Sequence, residues 1–137
     1  MPYKVENVGP HLIDQIWKHV SDGIEHACLK TGGDTDAHYL WTECRSGRAT
    51  LMVIVKDKTI IGASVWRIER WATGKVCRCL AVYGKDMRGW LAQHVRKVKE
   101  LAELGHADRI MAEGRVGLQR IFPQAKVLRQ LYEVRLT

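Results

Sequence analysis

Residues Lys75–Gly117 read KVCRCLAVYG, KDMRGWLAQHVRKVKELAELG, HADRIMAEGRVG, and their order of strand, helix and strand decides the fold. Val76 to Tyr83 is β-branched or apolar at most positions and is bounded by turn signals at Thr73-Gly74 and Gly84. Asp86 stands where an N-cap is expected. Trp90, Leu91, Val95, Val98, Leu101 and Ala102 then recur at helical spacing, which predicts a helix with Leu91, Val95 and Val98 turned inward. Gly105 is expected to close it as a left-handed C′ glycine, and Asp108 to Met111 returns as a short strand. Strand, helix and strand make a βαβ unit with a right-handed crossover. In such a unit a ligand belongs at the carboxyl end of the first strand, around Tyr83 to Arg88.

Outside that unit the pattern is legible in both directions. Tyr3 to Val8 reads as a first strand. Ile13, Ile16, Trp17, Val20, Ile24 and Ala27 trace one stripe of a helix from His11 to Cys28, with Trp17 expected in the core. Asp34 or Thr35 is the expected cap of a second helix through about Ser46, which carries Ala37, Leu40, Trp41 and Cys44 inward. Ala49 to Lys56 and Thr59 to Trp71 flank Asp57-Lys58, a tight hairpin, and Ala72-Thr73-Gly74 turns into the strand of the central unit. Beyond Met111, Glu113 to Ile121 reads as a short helix stopped by Pro123, and Lys126 to Leu136 as a last strand or hairpin arm. The fold class is therefore α/β, with a mixed sheet: an antiparallel meander runs into a βαβ unit, and helices cover both faces.

The chain has 137 residues, 46% of them hydrophobic and 27% charged, which suits one globular domain over residues 1–137. No apolar run approaches the roughly 20 residues of a membrane span, and the polar N-terminus does not read as a signal peptide. Four cysteines without an export signal point to reduced thiols in a cytosol or in a particle assembled there. The net charge of +7 favours an acidic partner, nucleic acid among them. Arg88, Arg96, Lys97 and Lys99 could form a phosphate-tracking face with Trp90, but interspersed glutamates make a solvated face the simpler reading. Trp66, Trp71 and Trp90 suit a protein–protein interface.

The order of elements resembles the GNAT (GCN5-related N-acetyltransferase) fold over essentially the whole chain. A narrower resemblance is to small GNAT-like proteins encoded by tailed bacteriophages. It rests on VCRCLAVYG, on KDMRGWLAQHVRKVKELAELG, and on GRVGLQRIFPQAKV followed by LRQLYEVRL. This resemblance implies acetyl-CoA, with its pyrophosphate on the loop that opens the central helix, and so places Val82, Gly84, Lys85, Arg88 and Gly89 at the cofactor. The family pattern there is Gln or Arg, two residues, Gly, any residue, then Gly or Ala. The window Gly84-Lys85-Asp86-Met87-Arg88-Gly89-Trp90 does not satisfy it, and Asp86 is expected to use the loop's N–H donors and repel a diphosphate.

The family also places a tyrosine on the following helix as the acid toward the leaving thiolate; GRVGLQRIFP contains none. Tyr83 is the nearest substitute, and Glu69 the expected base. Cys77 and Cys79 share one face of a strand and read as buried thiols. No spacing of Cys or His makes a metal site. Two functions follow. One is a GNAT-like domain with an eroded acetyl-CoA site, used without catalysis in a phage virion, in its assembly, or against host proteins. The alternative is an acyl-CoA-dependent N-acetyltransferase. The expectation leans to the first, in the host cytoplasm or the virion.

Overall fold

The structure is a computed structural model that describes residues 2–113, 122 and 124–136. Five strands form one sheet in sequence order: β1 (Tyr3–Val8), β2 (Thr50–Lys56), β3 (Thr59–Trp71), β4 (Gly74–Gly84) and β5 (Arg109–Ala112). The first four are antiparallel neighbours, and β5 lies parallel to β4 across the helix α4 (Met87–Leu104). The expected meander and βαβ unit are therefore present, with Val53, Val65, Leu80 and Ile110 on adjacent strands. Asp57 and Lys58 turn the β2–β3 hairpin with both φ angles positive (50° and 65°), the geometry whose twist matches paired strands.

Helices lie on both faces and make two cores. On one face α1 (Ile13–Ile16), α2 (Ser21–Lys30) and α3 (Ala37–Arg45) bury Ile13, Ile24, Leu40 and Cys44 against Leu51, Val53 and Val65. On the other, α4 buries Trp90, Val98 and Ala102 against Met52, Ile54, Trp66 and Cys77. Strand β2 thus alternates between two dry faces, Leu51 and Val53 to one and Met52 and Ile54 to the other, which accounts for its unbroken apolar run.

Several local expectations are corrected. The helix expected over His11–Cys28 is broken: 3-10 turns occupy Pro10–Leu12 and Trp17–His19, and Val20 leaves helical geometry at φ −124°, ψ −14°. The break precedes Ser21-Asp22-Gly23, three poor interior helix formers. Trp17 is only half-buried. Asp36, rather than Asp34 or Thr35, caps α3, accepting the Tyr39 N–H at 2.8 Å. On α4 the inward stripe is Trp90, His94, Val98 and Ala102, with Leu91 and Val95 half-buried. The stripe is displaced because it contains a histidine, which hydrophobic periodicity does not count.

The helix expected over Glu113–Ile121 lies outside the described residues except for Glu113, which follows β5 without regular structure. Lys126–Leu136 is not a strand: the run is irregular and exposed throughout.

The end of α4 separates two reasons for a glycine. Gly105 has an ordinary φ of −85°, and the left-handed residue is His106 at φ 58°. His106 N–H bonds to Glu103 O at 3.1 Å and Ala107 N–H to Ala102 O at 2.8 Å, the two bonds of a Schellman motif. Gly105 is small because a Cβ there would lie 2.6 Å from Ile68 Cγ1. Gly105→Ala is therefore expected to cost about 1–3 kcal/mol through overpacking. His106→Gly is expected to gain up to about 1 kcal/mol by relieving the left-handed strain. Thermal melts of the two variants check the opposite signs.

Candidate functional site

The site begins where β4 and β5 part. Their pairing ends at Cys79↔Ala112, whereas β4 continues to Gly84. Beside that point β4 carries one residue more than β3: Val65 faces Ala81 and Trp66 faces Cys79, so Leu80 is a bulge. One extra residue reverses which side chains face which way. Before it, Cys77 and Cys79 turn to the α4 core; after it, Ala81 and Tyr83 turn to the core under α2 and α3. Among the described residues, Leu80–Gly84 therefore has no strand on its β5 side.

The α4 side of this stretch is apolar. Val82, Cys79, Met87, Trp90, Leu91 and His94 line a void of about 20 Å³. Behind it Ser64 Oγ accepts the Trp66 indole N–H at 2.8 Å and lies 2.7 Å from His94 Nε2. Which of the two donates in the Ser64–His94 bond depends on the histidine tautomer. Burial lowers the His94 pKa from 6.5 to about 4.

At the mouth, Lys85 and Arg88 are exposed at the start of α4. Asp86 sits at the N-cap position but makes no side-chain cap bond. It is left-handed, at φ 55°, and its Oδ2 lies 3.9 Å from Lys56 Nζ. The expectation that its carboxylate uses the loop's donors is therefore corrected. Lys85 N–H goes to Ile61 O at 3.1 Å and Gly89 N–H to Asp86 O at 2.8 Å. The amides of Met87 and Arg88, in the first turn, have no carbonyl one turn back. The two glycines of the loop have packing reasons: a Cβ on Gly89 would meet the Tyr3 ring at 2.5 Å, and one on Gly84 would meet Trp90 Cζ2 at 2.7 Å.

The opposite side is polar. An open cleft of about 690 Å³ is lined by Glu25, Asp34, Asp36, Tyr39, Arg67 and Arg78 among others. Its floor is a charge network across β3, β4 and α3. Glu69 accepts Arg67 Nε at 2.8 Å and Nη2 at 2.6 Å on one oxygen, and the Trp71 indole at 2.9 Å on the other. Arg78 Nη1 lies 3.5 Å from Glu69, and Arg78 Nη2 lies 3.1 Å from Glu113 and 3.7 Å from Asp34. Glu43, buried, takes Arg48 Nε at 2.6 Å and Arg67 Nη1 at 3.0 Å. The Arg48 bond is the main reason its carboxyl titrates below the ordinary range. For Glu69, burial pushes the pKa up, but the bonds from Trp71 and Arg67 outweigh it and leave the carboxyl lowered.

Comparison with solved structures follows this geometry. A GCN5-related N-acetyltransferase from Ralstonia eutropha superposes with a TM-score of 0.71 at 9% identity, over 98% of this chain and 99% of that one. A predicted acetyltransferase with acetyl-CoA from Clostridium acetobutylicum gives 0.70 at 9% identity, over 98% and 96%. An aminoglycoside acetyltransferase from an uncultured soil metagenomic sample gives 0.70 at 12%, over 100% and 99%. The chain has the GNAT fold. No family model and no curated protein matches the sequence, and identities this low establish the fold alone.

Within the GNAT fold the expected site residues fall in separate places. Val82 lines the void, Gly84 ends β4, and Lys85, Arg88 and Gly89 surround the start of α4. Tyr83 lies half-buried on α2, where a Cβ on Gly23 would come within 2.3 Å of its ring. Burial first, then the charge of Asp22, raises its pKa. Tyr83 faces Ala63 and Glu69 faces Val76, which sets the two roughly 20 Å apart along β3. They do not form one acid–base pair. Burial raises the thiols of Cys44 to about 12 and Cys77 to about 11, so neither is a nucleophile near neutrality.

Sequence reading missed the Ser64–His94–Trp66 group and the network around Arg67 and Arg78. A signal for the second existed. A two-residue turn at Ala72-Thr73 fixes Trp71 opposite Gly74 and therefore Arg67 opposite Arg78. Two arginines face to face on a half-buried sheet require carboxylates.

Proposed function

We propose that this chain binds an acyl-CoA, acetyl-CoA in the simplest case, and transfers its acyl group to an amine. The observation that carries the reading is that, among the described residues, β4 runs past the end of its pairing with β5, with the basic start of α4 beyond it and a polar cleft on the other face of the sheet. The residues present suit the cofactor. Lys85 and Arg88 supply charge for a diphosphate, and the Met87 and Arg88 amides supply donors at a helix N-terminus. Leu80–Gly84, which has no partner strand on that edge among the described residues, can pair with the amides of the pantetheine arm as a strand would. Acetyl-CoA held there would supply a thioester; transfer to an amine would form the C–N bond, break the C–S bond and pass the amine's proton, through water, to the departing thiolate.

Glu69 is fully engaged by Arg67, Trp71 and Arg78 and serves to hold the cleft floor. Tyr83, with a raised pKa, remains protonated near neutrality and lies about 10 Å along β4 from the bulge.

Isothermal calorimetry with acetyl-CoA tests the proposal. The wild type is expected to bind, Lys85→Ala and Arg88→Ala to bind several-fold more weakly, and Asp86→Gly several-fold more tightly. Asp86→Gly removes a negative charge from the mouth, and glycine is at ease at φ 55°. Absence of heat at about 1 mM acetyl-CoA in all four proteins overturns the proposal.

A second reading is non-catalytic use as a virion or assembly component of a tailed bacteriophage, or against host proteins. The run from Val127 to Leu136 favours it, because six of its large apolar side chains are 60–96% exposed, more than an isolated domain usually leaves in water. Binding of acetyl-CoA without acetyl transfer to any of a panel of primary amines would favour this second reading.

A further inference from the structure

The same C-terminal run carries an inference independent of the CoA site. Val127, Leu128, Leu131, Tyr132, Val134 and Leu136 are exposed. Among the described residues no backbone group of 126–136 pairs with another backbone group. Two side-chain contacts lie within the run: the Tyr132 hydroxyl donates to Gln130 Oε1, and Arg135 Nε lies 3.2 Å from Glu133 Oε1. Both contacts join side chains two positions apart, the spacing that shares one side of an extended strand. On that spacing Leu128, Tyr132, Val134 and Leu136 take one side, and Arg129, Leu131, Glu133 and Arg135 the other.

The chain's own open edge is a poor match. β5 is four residues long, and the run does not lie along it. The run also touches the rim of the cleft: Arg129 lies over the Trp71 ring at 5.8 Å and 3.9 Å from Glu113, and Leu131 packs by Gly32, where a Cβ would lie 3.2 Å from Leu131 Cδ2. A guanidinium that exposed is cheaply released.

We propose that residues 127–135 pair with the same residues of a second copy of this chain, antiparallel and centred on Leu131. The sequence is complementary to itself in that register. Arg129 opposes Glu133 of the second copy, and the two-fold axis repeats the pair. Leu128 opposes Val134, Gln130 opposes Tyr132, Leu131 opposes itself, and at the two ends Val127 opposes Arg135. The neighbouring registers lose the two Arg129–Glu133 pairs: centring on Tyr132 sets Arg129 against Arg135, and centring on Gln130 sets Arg129 against Leu131. Opposite charges and apolar pairs directly across two strands stabilise a ribbon, whereas like charges there destabilise it. A closed two-fold contact uses one patch twice and ends there.

Sedimentation velocity on the full chain tests this. The wild type is expected to populate a dimer of the 15.7 kDa chain. Arg129→Glu and Glu133→Arg each set like charges opposite at two places and should weaken it about tenfold. The double variant restores opposite charges in both pairs and should return the affinity to near wild type. Circular dichroism melts should be unchanged throughout, because the run lies outside both cores. A wild type that stays monomeric at every concentration overturns the proposal. So does a dimer indifferent to the single variants, or one that the double variant fails to rescue.

Discussion

Trp90→Ala is expected to destabilise the fold by about 3–5 kcal/mol, the cost of removing a large buried aromatic and leaving a cavity. Trp90 is 1% exposed and sits edge-on to His94 with ring centroids 5.4 Å apart. Its indole N–H reaches back to Lys85 O at 2.6 Å, which ties the loop after β4 to the helix it opens. Because Gly84 has no Cβ to block the ring, the loss should spread into that loop. Trp90→Phe should cost less, keeping most of the volume and losing the hydrogen bond. Leu91→Ala should also cost less, since Leu91 is only half-buried. Urea unfolding of the three variants gives the order, and a Trp90→Ala midpoint equal to wild type would place the wrong face of α4 inward.

Acid should weaken the fold through His94. The residue is 4% exposed, and burial holds its folded pKa at about 4 against 6.5 for the free side chain. Between those values the unfolded chain binds a proton that the folded chain refuses. The unfolded state therefore carries more protons, and stability rises with pH through this window. The contribution is complete above pH 6.5 and is lost progressively as pH falls to about 4; the loss is on the order of 3 kcal/mol. Protonating the ring would also place a charge in the dry core under α4. His94→Gln retains a hydrogen-bonding group for Ser64 and does not titrate. Unfolding free energies from pH 8 to pH 4 should fall more steeply for wild type than for His94→Gln. Parallel curves would show that His94 does not titrate against the fold.

The strands and their order were written in local pattern, because each buried strand needs an apolar run and each turn needs particular residues. Asp57-Lys58 and Thr73-Gly74 mark the hairpins, and the amphipathic run after Gly84 marks the crossover helix. Where a residue's role depends on what lies across the core, local pattern misleads. Gly105 looks like a left-handed cap and is instead a contact with Ile68. Asp86 stands at a cap position and turns toward Lys56. His94 reads as polar surface and lies in the core, because Ser64 on β3 supplies its partner.

The candidate site shows the same division. Its residue types near Gly84 to Gly89 are legible from the βαβ pattern, which directs ligands to the carboxyl end of a strand. The bulge at Leu80 is not, since an extra residue in one strand is defined only against its neighbours. From sequence alone came the fold class, the order of β2 to β5 as a meander running into a βαβ unit, and the end of the sheet at which to look; the place of β1 beside β2 did not. Tertiary structure alone decided which faces Val82, Tyr83 and Arg78 occupy, that Glu69 and Tyr83 stay apart, and that β4 runs past the end of its pairing with β5. These depend on pairing and packing between segments distant in the chain, and no window of local sequence contains them.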